Sequence, residues 1–338
     1  MNNEKIMLAH GGGGRKSAEF VNKYIVSRFA NETLETMADS AKLKIGDENI
    51  FFTTDSYVVK PLFFNGGDIG TLAICGTVND LAVCGGEPVG LSLALIIEEG
   101  LDVATLEKIL DSAAAVAKEA NVKILCGDTK TVDAGAVDKI FINTAGVGKK
   151  MDGADLSFRR IVPGDKIIVS GTIGDHGMTI MSQREGIKFE SDLKSDCACV
   201  LPICKAVIET CGGAVKFMRD PTRGGVSATL NEIATSAGVD IMIEQKAVPV
   251  NSTTAAAAEM LGFDILEIAN EGKVVIVVSD EKAEQCLEAC RKTVVGKDAA
   301  IIGQVGEKND EPIVELATEI GGSRVVQMPY GRELPRIC

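Results

Sequence analysis

The 338 residues contain no tryptophan, three tyrosines and two histidines, and basic residues are outnumbered 35 to 48 by acidic ones. A net charge of -13 argues against nucleic acid or an anionic membrane surface as the main partner. No run approaches the ~20 apolar residues of a membrane span. The start, "MNNEKIMLAHGGGG", lacks the basic region and long apolar core of a signal peptide. Ten cysteines spread along the chain lack the density of a disulfide framework, so reduced thiols in a cytoplasmic protein are expected. What remains is 46% hydrophobic, mainly Ala, Val, Ile and Leu, with 36 glycines, the make-up of α/β layers joined by tight turns.

The pattern along the chain divides into two α/β units. A glycine loop and an amphipathic helix, "KSAEFVNKYIVSRFANETLETM", occupy residues 1–38. Residues 39–155 alternate strands ("NIFFTTDSYVV", "VGLSLALIIEE", "VKILCGDTK", "KIFINTAGVG") with helices ("DIGTLAICGTVNDLAVCGG", "DVATLEKILDSAAAVAKEA"). Residues 163–328 repeat the rhythm, with helices expected near 175–186, 197–211, 223–237, 252–261 and 281–293 between strands "DIMIEQ", "KVVIVVSD" and "AAIIGQVG". Residues 329–338 form a tail outside both units, ending "PYGRELPRIC". A cysteine at such an end invites oxidation, and either it is incidental or it carries chemistry.

"HGGGGRKS" falls short of a phosphate loop, because His10 stands where the first glycine should be and Arg15 precedes Lys16. It reads as a flexible loop or as a lid over a ligand. Carboxylates recur inside otherwise apolar elements: Asp55 in "FFTTDSYVV", Asp80 beside Asn79 in "GTVNDLAVCGG", Asp128 in "LCGDTK" and Asp220 in "KFMRDPTRGG". Each alone reads as a cap or turn, but buried charge without matching cations points collectively to a magnesium–nucleotide site. "DPTRGGV" adds a helix start suited to phosphate. Glu271 in "IANEGK" is a turn residue or a general base. His176 in "GDHGM" is a substrate contact or a capped turn residue. Cys197, Cys199, Cys204 and Cys211 lack zinc-knuckle spacing and read as buried core thiols, with a metal-carrier role as the competing reading.

Taken together, "HGGGG", "TTDSYVVKPLFFNGGDIGTLAICGTVNDLAVCGG", "GDTK", "GDHGM", "DPTRGG", "ANEG" and "PRIC" resemble the HypE family of hydrogenase maturation proteins, of the aminoimidazole ribonucleotide synthetase-like (PurM-like) superfamily. The likeness runs from about residue 8 to Cys338. It implies two PurM-like α/β domains, a homodimer whose N-terminal sheets join in a β-barrel, and ATP and Mg²⁺ as cofactors. It implies that Cys338 receives a carbamoyl group from the carbamoyltransferase HypF. ATP-dependent dehydration then gives a thiocyanate, and the cyano group passes to a HypC–HypD scaffold on its way to the iron of nickel–iron hydrogenase.

By the same resemblance, Asp55, Asn79, Asp80, Gly127, Asp128, Thr129, Asp220, Thr222 and Gly224 hold the nucleotide. Asp55, Asp80, Asp128 and Asp220 serve the metal, Glu271 is the base, and Lys130 faces the developing anion. Ten residues of tail span at most ~33–36 Å, and Pro329 and Pro335 stiffen it. Related enzymes are the nearest alternatives. A selenophosphate synthetase would need a reactive residue near the glycine loop, yet no cysteine precedes Cys75. A thiamine-monophosphate kinase would have no use for Cys338.

Overall fold

A computed structural model describes residues 5–186, 193–331 and 336–338. The first helix is split into α1 (Gly14–Phe20), a π turn over Val21–Val26 and α2 (Ser27–Phe29), and none of it is buried. It ends well before Met37, where the amphipathic pattern would have carried it.

The first half folds around a five-stranded sheet made by β1 (Ala41–Ile45), β2 (Glu48–Tyr57), β5 (Gly86–Glu98), β6 (Ile124–Val132) and β7 (Ile140–Lys150), in the order β1-β2-β7-β5-β6. A two-stranded ribbon, β3 (Phe63–Phe64) and β4 (Gly67–Asp68), leads into α3 (Ile69–Val83), and α4 (Val103–Glu119) crosses from β5 to its parallel neighbour β6. Asp68 caps α3 by accepting from the amides of Gly70 and Thr71 at 2.7 and 2.9 Å, which starts the helix sharply. Helices cover one face of this sheet only. On the other face Phe52, Val147 and Ile96 stay 38–43% exposed, and register places Asp128 and Lys130 on that side, opposite Ala94 and Ile96. In the single chain the sheet is open.

The second half is built on β8 (Lys166–Val169), β9 (Val215–Arg219), β10 (Val239–Glu244), β11 (Val275–Val278), β12 (Ala300–Lys308), β13 (Val314–Ala317) and β14 (Ser323–Val325), in the order β14-β13-β10-β12-β8-β11-β9. Its helices are α5 (Asp175–Arg184), α6 (Leu201–Cys211), α7 (Gly225–Ala237), α8 (Ser252–Leu261) and α9 (Ala283–Arg291). Every residue of β11 is buried because α6 and α9 cover one face of the sheet and α7 the other. The expected helix over 197–211 begins only at Leu201, with Pro202 in its first turn, where a missing amide hydrogen costs nothing. Residues 193–200 are a loop that passes beneath the Glu271 turn.

The halves share apolar cores. Ile74, Val78 and Leu81 of α3 pack with Ile203, Cys204 and Val207 of α6. A second cluster joins Tyr57, Ile69 and Leu72 to Met178, Ile268 and Ile337. Ile337 belongs to the tail, so the segment expected to lie outside both units is docked between them. Pro335 lies outside the described residues.

Candidate active site

β2 explains its own odd polarity. Phe51 and Tyr57 are buried against the helices, while the central "TTDS" turns Thr53 and Asp55 toward a cavity of about 370 Å³ between the halves. Asp80 on α3 enters the same space, as do Asp220, Thr222 and Arg223 from the turn after β9, Glu271 from the turn before β11, the glycine loop and Cys338.

Asp39, Asp80 and Asp220 place carboxylate oxygens within 4.8 Å of one another. Local hydrogen bonds bring Asp39 there: Ser40 Oγ donates to the Asp80 carbonyl at 2.9 Å, and Thr53 Oγ1 lies 2.8 Å from the Asp39 carbonyl and 2.9 Å from Asp80 Oδ2. The charges repel. Burial and then Asp39 push the Asp220 carboxyl up to about 8, while burial, Asp220 and Asp39 raise Asp80 well above the carboxylate range. Arg219 relieves part of this, pairing with Asp39 at 3.2 Å and with Glu232 at 3.2 Å. Asp55 is also raised, by burial, with Arg223 opposing. Such crowding fits a divalent cation with oxygen ligands, the donor set that Mg²⁺ prefers.

Glu271 is 4% exposed, and its Oε1 is buried without a hydrogen-bond partner. Burial, Asp55 and Asp220 push its carboxyl well up. Its main chain is held firmly. The Asp196 carboxylate accepts from the amides of Glu271 and Gly272 at 3.2 and 3.3 Å, and Asp196 pairs with buried Lys273 at 3.0 Å. Asn79 does not line the cavity. Its side chain donates to the carbonyls of Ala198 and Glu271 at 3.0 and 3.3 Å and accepts from the Val200 amide at 2.8 Å, tying α3 to the loop beneath the base.

α7 starts at the cavity edge. Gly224 takes φ +83° and offers no side-chain cap, and a Cβ on Gly225 would press on the carbonyls of Leu266 and Ile268. An uncapped helix start with room for close approach suits a phosphate. The glycine loop closes the other wall. Gly13 takes φ +82° against Arg223, and a Cβ on Gly14 would overlap the Pro329 carbonyl. The Arg15 amide donates to that carbonyl at 2.8 Å. The loop thus packs on the tail as well as facing the cavity.

The tail enters alongside the segment after β2. The Val58 amide donates to the main-chain oxygen of Cys338 at 3.0 Å, and Arg336 Nε donates to the Val58 carbonyl at 2.8 Å. Arg336 Nη1 pairs with Asp138 at 2.8 Å. Burial first, then Glu271, raises the Cys338 thiol, with Arg223 pulling the other way. Arg223 in turn feels Cys338 most strongly.

Of the residues singled out in the sequence, Asp55, Asp80, Asp220, Thr222, Glu271 and Cys338 meet in this cavity, and Gly224 caps the helix beside it. Gly127, Asp128, Thr129 and Lys130 do not. They lie on edge strand β6, where Lys130 pairs with Asp128 at 2.6 Å in solvent. Asp39, Arg219 and Arg223 were not singled out. Arg223 stands inside the quoted "DPTRGG", but Asp39 in "MADSAK" has no local pattern to mark it. Cys204 and Cys211 are buried in the apolar core, and the aspartate trio is the one metal-competent group among the described residues. No described helix is long and apolar enough to cross a membrane.

Comparison with known proteins agrees with this architecture. Residues 37–149 match the family described as AIR synthase related protein, N-terminal domain, and residues 162–315 its C-terminal domain. The carbamoyl dehydratase HypE of Rhizobium leguminosarum bv. viciae is 44% identical over 336 residues, 99% of this chain and 96% of that protein. The chain in a HypE–HypF complex superposes with TM-score 0.87 at 47% identity, covering 92% of this chain and 99% of that one. HypE in complex with ATP superposes with TM-score 0.83 at 41% identity, covering 99% and 100%.

Proposed function

The chain belongs to the HypE family of carbamoyl dehydratases, and we propose that its cavity carries out ATP-dependent dehydration of a carbamoyl group on Cys338, giving the thiocyanate that supplies a cyanide ligand during hydrogenase maturation. The observation that carries this reading is the delivery of the Cys338 thiol into a buried cavity holding an unpartnered carboxyl, Glu271, and a crowded aspartate trio.

Dehydration removes the carbamoyl oxygen and two nitrogen-bound protons, converting S–C(O)NH₂ to S–C≡N. When bound, ATP would make the oxygen a leaving group as phosphate, and Mg²⁺ would neutralise phosphate charge. Asp39, Asp80 and Asp220, with Asp55 beside them, would hold that metal, so Asp39 joins the set expected from sequence. Thr222, Gly224 and the start of α7 would hold the phosphates. Glu271 takes the nitrogen protons. Its unpartnered Oε1 is free to accept, and a base with a raised pKa is a stronger one once ionised. Arg223 stabilises negative charge next to the reacting carbon.

Asp128 and Lys130 fit the reaction through a homodimer. The uncovered apolar face of the first sheet is what a second copy would bury, closing the open sheet toward a barrel. Asp128 and Lys130 lie on that face and would reach the partner's cavity. The HypE–HypF complex supports a HypF-type carbamoyltransferase as the donor. Handover to a HypC–HypD scaffold would occur in the cytoplasm, a compartment that suits ten unpaired cysteines. The test is Cys338→Ala, which must abolish both carbamoylation and cyanation while nucleotide affinity persists. A cyanated Ala variant overturns the reading.

A further inference from the structure

His176 has no place in the cavity chemistry, yet few side chains are more tightly specified. It is fully buried in the first turn of α5. The edge of Phe64 packs against its ring, with centroids 5.5 Å apart at 85°. The helix start beneath it is fixed by Asp175, which accepts from Thr172 Oγ1 at 2.6 Å and from Asn251 Nδ2 at 2.9 Å.

Both ring nitrogens are engaged. Nε2 lies 2.8 Å from the main-chain oxygen of Ile337, and Nδ1 lies 2.8 Å from Ser195 Oγ. A carbonyl oxygen only accepts, so Nε2 carries the hydrogen. Ser195 Oγ accepts from the Cys197 amide at 3.0 Å, and its hydroxyl hydrogen can turn to Nδ1. The donors and acceptors close in one direction, from Cys197 N–H through Ser195 to Nδ1, and from Nε2–H to the tail. Burial, which lowers the imidazole's pKa, favours the neutral ring, and in the neutral ring the Ile337 carbonyl fixes the Nε2–H tautomer with Nδ1 accepting from Ser195.

The bonded carbonyl belongs to the residue next to Cys338, whose own side chain sits in the apolar cluster with Tyr57, Ile69 and Met178. The segment that sets the tautomer also holds the base. Ser195 touches the ring, while its neighbour Asp196 accepts from the Glu271 amide and pairs with Lys273. One short stretch of loop therefore meets the docked tail on one side and the Glu271 backbone on the other.

We propose that His176 is a positioning residue for the reaction at Cys338: as an Nε2–H donor it latches the docked tail through the Ile337 carbonyl, and Ser195 and Asp196 join that latch to the Glu271 backbone. The proposal rests on the reading of Cys338 as the cargo-bearing residue, but its first readout does not. Without the donor the Ile337 carbonyl is buried unsatisfied, and the tail gains by leaving.

The test uses the full chain with His176→Leu, His176→Gln and Ser195→Ala. Glutamine keeps an amide donor near the Nε2 position, leucine keeps bulk alone, and the serine variant frees the tautomer. The first readout is the rate at which iodoacetamide alkylates Cys338 without nucleotide, followed in the chymotryptic peptide 331–338. The second is single-turnover conversion of carbamoylated Cys338 to the cyano form. Leucine is expected to speed alkylation on the order of 10-fold and slow conversion by a similar factor, with glutamine within about threefold of wild type and Ser195→Ala between. Wild-type protection in the leucine variant, or glutamine as labile as leucine at an unchanged melting temperature, overturns the latch. Should leucine not fold, equal protection in Ser195→Ala and wild type does the same. Faster alkylation with unchanged conversion overturns the positioning role. If wild type itself converts nothing while the alkylation order holds, the reading of Cys338 has failed and the latch has not.

Discussion

Cys338 shares its cavity with Glu271, and after burial the Glu271 carboxyl is the largest influence holding the thiol in its protonated form. A free thiolate is thus disfavoured where the tail docks. A carbamoylated sulfur, like the protonated thiol, carries no charge, so both fit a cavity that disfavours the thiolate.

Glu271→Gln keeps the shape of the base without its proton affinity. Carbamoylated Cys338 should accumulate and conversion to the cyano form should fall by ~10²–10⁴, while ATP affinity in calorimetry stays within a few-fold. Wild-type conversion in single-turnover mass spectra would remove Glu271 from the reaction.

The aspartate trio makes the empty protein sensitive to alkali. The Asp220 carboxyl, at about 8, sits above its unfolded value of 3.8, so its contribution to folding is greatest at low pH and drains as pH rises toward 8. Unfolding free energy should fall across pH 5 to 8 by up to about 1.4 kcal/mol per pH unit, and melting temperature should fall with it. Asp220→Asn should flatten the curve and abolish Mg–ATP binding. A wild-type curve flat over this range contradicts the crowding described for the site.

Asp196→Asn tests how the base is held. Removing the partner of buried Lys273 leaves an unpaired charge, and a loss of about 3–5 kcal/mol is expected in denaturant unfolding. Stability within about 0.5 kcal/mol of wild type would show that the pair is not the brace of the Glu271 turn.

A mixed dimer decides where Lys130 acts. Lys130→Ala and Glu271→Gln chains should each be inactive alone, and mixing should restore part of the activity, because one site then combines an intact Glu271 with Lys130 of the partner subunit. If Lys130 serves its own chain, mixing restores nothing.

Much of this arrangement was legible in the sequence, for physical reasons that differ by residue. Asp55, Asp80 and Asp220 stood out because each interrupts an apolar element, and burying a carboxylate has to be compensated. Glu271 sits between a polar turn and the all-apolar β11, so the pattern places it at the mouth of the sheet, as a turn residue or as a base. Asp39 could not. It lies in a loop, and only the bonds from Ser40 and Thr53 bring it to Asp80. Asn79 is a nucleotide ligand only by resemblance; one helix step from Asp80 turns it by about 100°, and its side chain bonds the 198–200 loop and the Glu271 carbonyl. Asp128 and Lys130 carry a local motif, but strand pairing puts them on edge strand β6, outside the cavity of their own chain. The tail was read as an arm because nothing local reveals that Ile337 has an apolar pocket waiting for it.

The most direct measurement is time-resolved intact mass spectrometry of wild-type protein carbamoylated by the transferase and then given Mg–ATP. The account predicts that the carbamoyl adduct on Cys338 loses one water in step with ATP consumption, with the remaining mass mapping to Cys338. An adduct that persists while ATP is consumed, or a cyano mass on any other cysteine, would contradict it.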